Sequence, residues 1–364
     1  MQIPKILPIP ITQNSPLSLK ELFVFEKTMS KIFDIFPNVL EYAKTLDSYS
    51  TSTFNHSVNV ALHFHSIIVK DSSLSEKEIL EWTAAAFVHD AGKLTTPLDI
   101  LHSKMNYKNE SISQEDRFVA RTKMMRHSID GLEVAEAYNF SKKMLFAVIG
   151  HHIDAKAIDN GPEENFFGAT SSRDTWGKSF GKDYVEKTLQ ENCKWVTKKD
   201  KQMLKTLTII DTVEAMRSSE RMYNNKEPKK WELILRFNKE DAQNGKLDPS
   251  LVGSITESHL FQKSFDELQS YNSPQRIRHL VCEKGKDIPY VLSADKINEI
   301  MENPSCGEPF FKFEKEKAIF VIDVGDGRML SLPLQKEAPN FMSKISISEA
   351  YTTVNESVEE MEDR

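Results

Sequence analysis

Apolar residues recur at three- and four-residue intervals through much of the first 270 positions, which is the spacing of amphipathic helices. The first stripe covers residues 17–47 with a break at Pro37, and we expect its members to be core: Leu22, Phe23, Phe25, Met29, Ile32, Phe33 and Phe36. Further helices are predicted over residues 52–70, 76–92, 114–138, 142–152, 198–222, 228–244 and 249–266. The pattern predicts a mostly α protein.

Polar residues mark where two of these helices begin. Ser75 with Glu78, and Thr197 with Asp200, stand three positions apart at the start of periodic segments. At this spacing the first side chain accepts from a backbone N–H of the first turn, and the acidic side chain accepts from the backbone N–H of the cap residue. Both helices are therefore predicted to start at these caps.

The pattern changes after YNSP at 271–274. The segments RIRHLVCE, IPYVL, EPFFKF and AIFVIDV resemble strands, VGDG resembles a hairpin turn leading into RMLSLPL, and one helix is predicted near 293–302. A small C-terminal α+β domain follows from this change. The predicted division is an extended segment and helices at 1–49, a large helical domain at 50–270, a small β-rich domain at 275–345 and an acidic, disordered tail at 346–364.

Two stretches lack helical periodicity. Residues 153–196 contain a long irregular segment, and a loop of that length in a helical body is usually functional, so it could cover a site. This loop and the C-terminal domain are the predicted places for a protein partner. The N-terminal MQIPKILPIPI is interrupted by three prolines, which predicts an extended segment rather than a leader or a membrane span.

Composition and charge narrow the class of ligand. Hydrophobic residues make up 39% and charged residues 28% of the chain, and 13 glycines in 364 residues argue against an all-β fold. The net charge is −7, with five acids and one base in the last ten residues, so no broad basic field is available for duplex nucleic acid or a membrane surface. Three widely spaced cysteines without a CxxC pair favour a reducing compartment, and we predict a cytoplasmic protein.

Histidines supply the candidate chemistry, because eight of the ten lie between positions 56 and 152. His89 and Asp90 end the apolar segment AAAFVHD, and Lys93 follows Asp90 by three residues on the same side. A carboxylate can bridge two cations, imidazoles can complete their coordination, and an ammonium can neutralise phosphate. Taken alone, the dipeptide is better explained as a buried histidine hydrogen-bonded to a carboxylate.

The dipeptide is not alone. Other imidazoles and one further carboxylate on predicted helices complete a set of candidate metal ligands: His56, His89, Asp90, His127, His151, His152 and Asp211. Seven ligands exceed the needs of one ion and suit two. His63 is about 10 Å from His56 by helix rise, so we predict structural roles for His63, His65 and His102.

These residues stand in motifs that resemble the HD-GYP family of metal-dependent phosphodiesterases, within the wider HD superfamily. The resemblance covers roughly residues 50–265 and follows, in order, FNHSVNVA, AAAFVHDAGKLTTPLDIL, MRHSIDG, IGHHID, IIDTVEAM, RMY and GKLDPSLV. HDxGK alone would indicate only the superfamily. The resemblance is narrowed to the HD-GYP family by the single histidine that follows this motif, and then by the HH doublet and DxxxA. It implies an HD-type helical bundle.

The resemblance also implies how the candidate ligands divide. One ion would be held by His56, His89, Asp90 and Asp211, and a second by Asp90, His127, His151 and His152. The implied cofactors are two transition-metal ions, with iron favoured and manganese as the alternative. In the family, a hydroxide between the two ions attacks the phosphorus of cyclic di-GMP.

Two basic residues are implied phosphate contacts. Lys93 and Arg221 would bind the substrate, with Asp90 and Lys93 as the catalytic pair. Arg221 lies one residue later than the family spacing would place it, and it has an alternative role. Together with Asp211 and Glu214 it falls near one helical face, which also suits a solvated ladder of ion pairs.

The sequence departs from the motifs of the family at two places. Ser52 stands where members with a third metal carry a glutamate, so two metals are favoured over three. AIDNGPEE at 157–164 replaces the family's DGxGYP segment and lacks its tyrosine. Phe166, Phe167 and Trp176 are the aromatic residues available to replace that ring.

Three functional hypotheses follow. The first is a dinuclear phosphodiesterase that hydrolyses a cyclic dinucleotide, with cyclic di-GMP as the leading substrate. The second is an HD phosphohydrolase that acts on another nucleotide or on a phosphate ester. The third is a nucleotide-sensing module with a slow metal site. The complete ligand set argues against this last hypothesis, and the altered loop argues for it.

Overall fold

A computed structural model describes residues 17–96, 101, 114–159, 195–218 and 228–285, together with the backbone of three strands. The helices within these residues are α1 Leu17–Ile35, α2 Pro37–Tyr49, α3 Thr51–Ile68, α4 Glu76–Val88, α5 Gln114–Ala137, α6 Lys142–Gly150, α7 Ala155–Asp159, α8 Lys198–Arg217, α9 Trp231–Gln243, α10 Pro249–Ile255, α11 His259–Ser270 and α12 Ser273–Lys284. A 3₁₀ helix, Ala91–Thr95, follows α4. The mostly α prediction is confirmed.

The predicted caps form as expected. The backbone N–H of Ser75 donates to the Glu78 carboxylate over 2.8 Å, and the Glu78 N–H donates to the Ser75 hydroxyl over 3.3 Å. Thr197 and Asp200 repeat this exchange at 2.9 and 3.2 Å. These side chains satisfy N–H groups that the first turn of a helix leaves without partners.

A large apolar core joins most of the helices, with α3 at its centre, and a smaller second cluster lies between α8, α9, α10 and α11. Helix α3 packs against α1, α2, α4, α8, α11 and α12. Phe87 of α4 receives edge-on ring contacts from Phe33, Tyr42 and Phe54, with ring centroids 6.0–6.4 Å apart. Phe23 was expected in this core but is 40% exposed, because it lies on the outer side of α1.

Several helix boundaries differ from the prediction. The segment 249–266 is two helices rather than one, because the hydroxyl of Ser258 caps a new helix by accepting from the N–H of Phe261 over 3.3 Å. Helix α8 ends at Arg217 rather than near 222, and Ser218 has extended backbone. The Arg217 guanidinium donates to the Lys229 carbonyl over 2.9 Å and so joins the two ends of the following segment.

The expected strand at RIRHLVCE is wrong, because this segment forms α12. Ile277 and Val281 lie four residues apart and are buried together, as on one face of a helix. Arg276 pairs with Glu26, and Arg278 donates to Asp47 over 2.8 Å. Helix α12 therefore packs on α1, α2 and α3. The predicted domain limits, including 275–345 for the small C-terminal domain, stay a prediction.

The strands form one antiparallel sheet in the order β1-β2-β3, where β1 is Phe310–Glu314, β2 is Lys317–Asp323 and β3 is Met329–Pro333. Phe311 is paired with Phe320, and Val321 with Ser331. The strands expected in EPFFKF, AIFVIDV and RMLSLPL are thus confirmed.

Several expectations lie outside the described residues. They are the N-terminal segment, the VGDG turn, the IPYVL strand, the helix near 293–302, the acidic tail, most of the 153–196 loop, and the residues His102, Phe166, Phe167, Trp176 and Arg221. Within the described part of the chain, no helix has the length and apolar character needed to cross a membrane.

Candidate metal centre

The candidate ligands meet where five helices end or cross. His56 projects from α3, His127 from α5 and Asp211 from α8. His89 caps the C-terminal end of α4, and His151 caps that of α6. The structure therefore brings together the seven residues singled out in the sequence: His56, His89, Asp90, His127, His151, His152 and Asp211. Helix α4 ends at Val88, so Asp90 begins the 3₁₀ helix rather than continuing α4 to Gly92.

Gly92 allows two backbones to come close beside Asp90. A Cβ atom on Gly92 would lie 1.7 Å from the carbonyl oxygen of His127 and 2.6 Å from the amide nitrogen of Gly131. Only a residue without a side chain can occupy this position without moving α5. The close approach places the Nε2 atom of His127 3.1 Å from Asp90.

Asp90 lies between two groups of ligands and presents one oxygen to each. Its Oδ2 atom is 3.4 Å from the Nε2 atom of His56 and 3.4 Å from that of His89. Its Oδ1 atom is 3.1 Å from Nε2 of His127 and 3.7 Å from Nε2 of His151. The side chain is almost fully buried. This arrangement has the form of a bridging carboxylate.

The first group consists of His56, His89 and Asp211. The Oδ1 atom of Asp211 is 3.0 Å from Nε2 of His56 and 3.7 Å from Nε2 of His89. The Nδ1 atom of His89 lies 2.8 Å from the Ala86 carbonyl, to which it must donate, so Nε2 of the neutral ring carries a lone pair. The ligand atoms of the group all lie within 4.8 Å of one another.

The second group consists of His127, His151 and His152. Nε2 of His127 is 3.1 Å from Nε2 of both neighbours. The Nδ1 atoms of His127 and His151 face backbone carbonyls, that of His127 at 2.5 Å from Met124 and that of His151 at 2.9 Å from Val148. These contacts require N–H at Nδ1, so two Nε2 lone pairs point at each other in the neutral rings.

The residues present fit metal ions in both groups. Facing lone pairs repel each other, and a cation between them converts the repulsion into coordination. The buried Nε2 atoms of His56 and His89 have no hydrogen-bond partner among the described residues. Imidazole with carboxylate is a donor set that suits iron, manganese and neighbouring transition metals.

The pKa shifts of the two carboxylates and of His151 favour ligation, whereas burial of His89 is outweighed by Asp90 and Asp211, which raise the pKa of its ring. Burial alone would raise the pKa of the Asp90 carboxyl, but Lys93, His89 and His127 outweigh burial and hold its pKa well below the ordinary value. Burial alone would raise the pKa of Asp211, but the neighbouring rings of His56 and His89 outweigh burial and hold this pKa well below its ordinary value. Burial, together with the neighbouring rings of His89 and His127, lowers the pKa of His151 to about 3 and keeps it neutral.

Lys93 lies where the sequence placed it. Its side chain is buried, and its Nζ atom is 2.5 Å from the Oδ2 atom of Asp90. The ammonium therefore stands beside the shared carboxylate.

Other histidines lie away from the centre, as expected. His63 stacks on the ring of Phe265, with centroids 3.6 Å apart, and Nε2 of His65 lies 3.2 Å from the Thr28 hydroxyl. Ser52, at the position of the missing glutamate, is exposed. Arg221 lies outside the described residues.

Sequence reasoning missed Glu214. Its side chain is fully buried and contacts Nδ1 of His56, so the solvated ladder considered for this face of α8 is wrong at Asp211 and Glu214. The available signal was spacing, since Glu214 is one helical turn beyond Asp211.

Comparison with known proteins agrees with this geometry. A family model described as HD domain matches residues 53–216, a span that contains all seven candidate ligands. This part of the chain, a little under half of its 364 residues, is therefore similar to the HD domain. Searches of curated proteins and of solved structures gave no match.

Proposed function

We propose that the protein is a phosphodiesterase that uses two metal ions. The observation that carries the proposal is Asp90, whose two oxygens face two separate sets of imidazole nitrogens at 3.1–3.7 Å. A site for one ion would not need a carboxylate whose two oxygens face two different groups of ligands. The HD-domain match over residues 53–216 supports the same reaction class.

In this proposal each metal ion has three ligands of its own and shares Asp90 with the other ion. One ion is held by His56, His89 and Asp211, the other by His127, His151 and His152, and Asp90 is shared. When bound, two such ions lower the pKa of a water molecule and stabilise charge on the attacking and leaving oxygens. Iron is the favoured metal and manganese the alternative.

Lys93 and Arg221 are the proposed substrate-binding residues. The Lys93 ammonium stands 2.5 Å from Asp90, so it is placed to neutralise the oxygens of a phosphate bound beside the shared carboxylate. Arg221 follows α8 at the end nearer Glu214, and its proposed phosphate contact rests on the family resemblance alone.

The proposed substrate is a cyclic dinucleotide, with cyclic di-GMP first. The order and spacing of the motifs resemble the HD-GYP family, which supports this choice. AIDNGPEE provides no aromatic ring where the family has tyrosine, and stacking contributes about 1–3 kcal/mol per base. Guanine selectivity is therefore expected to be modest unless Phe166, Phe167 or Trp176 replaces that ring.

Two other functions are the alternatives to this proposal. A phosphohydrolase acting on another nucleotide or phosphate ester is favoured by the altered loop, since the metal chemistry is independent of what the phosphate carries. A nucleotide-sensing module is also favoured by the altered loop, and it would be supported if the metals bind and no turnover follows. Under each hypothesis the proposed compartment is the cytoplasm, and a protein partner would bind the C-terminal domain or the 153–196 loop.

One experiment separates these hypotheses. Protein purified without oxygen is analysed for bound metal and then tested for turnover of cyclic di-GMP, other cyclic dinucleotides and a generic aryl phosphodiester. We expect two ions and hydrolysis of the diesters. Turnover of the generic diester without turnover of the cyclic dinucleotides would favour the broader phosphohydrolase, and two ions without any turnover would favour the sensor.

A further inference from the structure

Glu214 is a buried carboxylate that touches the candidate centre without entering either ligand group. One of its oxygens contacts Nδ1 of His56, and the other accepts from the Nδ2 group of Asn59 over 3.1 Å. His56 and Asn59 lie on α3, and Glu214 lies on α8 with Asp211 one turn before it. Asp211 and Glu214 therefore approach the His56 ring from its two nitrogen-bearing sides, at Nε2 and at Nδ1.

His56 differs in this respect from the other histidines. The Nδ1 atoms of His89, His127 and His151 face carbonyl oxygens of their own preceding turn. The partner of His56 is instead a charged group 158 positions away in the sequence. Its orientation therefore depends on how two helices pack, and not on the helix that carries it.

We infer that Glu214 is the positioning residue for His56, an inference that rests on the proposed two-metal function. By accepting the N–H of Nδ1, Glu214 fixes the tautomer that directs the Nε2 lone pair toward Asp211 and Asp90, which lie 3.0 and 3.4 Å away. A carboxylate partner also makes Nε2 a stronger base than a carbonyl partner would. Asn59 holds the carboxylate in this orientation.

The inference predicts an effect on one ion only. Glu214 touches the group of His56, His89 and Asp211, while the group of His127, His151 and His152 has its own carbonyl contacts. Loss of such a partner typically weakens metal affinity by about 10- to 100-fold. We expect this loss in one site of Glu214→Ala, with the other site within about twofold of wild type.

Titration of metal-free full-length protein with Mn²⁺ and with Fe²⁺ tests this. The matched control is Glu21→Gln, which removes another buried carboxylate, one that pairs with Lys70 at 2.7 Å and accepts from Ser264 at 3.0 Å. The control should keep both affinities. Equal affinities in Glu214→Ala and wild type, or equal losses at both sites, would overturn the inference. A wild type that binds no metal would instead overturn the proposed function.

A near-isosteric variant protects the test against misfolding. His56 Nδ1 and Asn59 Nδ2 contact different oxygens of Glu214, and in Glu214→Gln an NH₂ group that cannot accept replaces one of these oxygens. We expect the same one-site loss. Proton NMR of the metal-free protein adds a readout of position, because the Nδ1–H resonance of His56 should move upfield in this variant. An unchanged resonance together with unchanged metal affinity would contradict the inference.

Discussion

Helix α3 carries buried histidines at both ends and uses them differently. His56 faces Asp90, Asp211 and Glu214 within 3.4 Å. His63 and His65, two turns later, pack instead against the rings of Phe265 and Phe25. Burial is common to all three. What sets the candidate centre apart is that nitrogen lone pairs from separate helices converge on shared carboxylates.

The close packing beside Asp90 gives the largest expected effect. In Gly92→Ala the new methyl group would lie 1.7 Å from the backbone of His127, so α5 must move away and carry that ligand with it. We expect a loss of at least about 3 kcal/mol in the free energy of unfolding, measured by urea denaturation, and loss of the second metal group.

Gly253→Ala is the matched control for this substitution. A Cβ atom there would meet nothing within 4 Å, and the position lies in α10. Alanine should stabilise this helix by up to about 1 kcal/mol. If Gly92→Ala kept the wild-type stability and metal content, the close approach of α5 would be unnecessary and this part of the account would be wrong.

Substitution of Lys93 tests catalysis separately from metal binding. Lys93→Ala should lower kcat for phosphodiesters by roughly 100- to 1,000-fold, as loss of a group that stabilises developing charge does, while two metals stay bound. The control is Lys205→Ala, which removes an equally buried lysine that pairs with Asp248 at 3.1 Å. A folded control that lost as much turnover, with its metals bound, would show that the effect is not specific to Lys93.

Substitution of His63, near the C-terminal end of α3, is expected to have a smaller effect, one on how stability depends on pH. Burial lowers the pKa of His63 to about 3, and the Glu214 carboxylate offsets only part of this. Below its ordinary pKa of about 6.5 the unfolded chain binds a proton that the folded chain does not, so stability falls as pH decreases from 7 toward 3. In metal-free protein, wild type should lose about 2 kcal/mol more than His63→Leu between pH 7 and 5.

Urea denaturation at the two pH values measures this difference. The same variant should bind two metal ions like wild type, because His63 contacts neither ligand group. Parallel pH profiles, or loss of an ion in His63→Leu, would remove the distinction between the two ends of α3.

Much of the helical fold was predictable because its signals are local. The break at Pro37 and the caps at Ser75 and Thr197 depend on residues within one turn, and each formed as predicted. Helix α12 was missed because RIRHLVCE is short and its apolar residues suit either period. Its burial on α1–α3, through Ile277 and Val281, is decided by tertiary packing.

The candidate centre likewise has features that the sequence predicts and features that only the packing of helices decides. Its seven candidate ligands could be singled out because they stand in spaced motifs on or at the ends of predicted helices. The contact between Glu214 and His56 could not, since it joins positions 158 apart and depends on how α3 crosses α8. The need for glycine at 92 likewise appears only when the backbone of His127 is seen against it.

Metal content of two variants tests the central claim, that Asp90 serves two ions, most directly. Wild type, Asp90→Ala and His56→Ala are purified without oxygen, checked for folding by circular dichroism and analysed for metal per chain. We predict two ions in wild type, none in Asp90→Ala and about one in His56→Ala, because only Asp90 faces both ligand groups. A wild type that holds a single ion, or an Asp90→Ala protein that keeps as much metal as His56→Ala, would contradict the account.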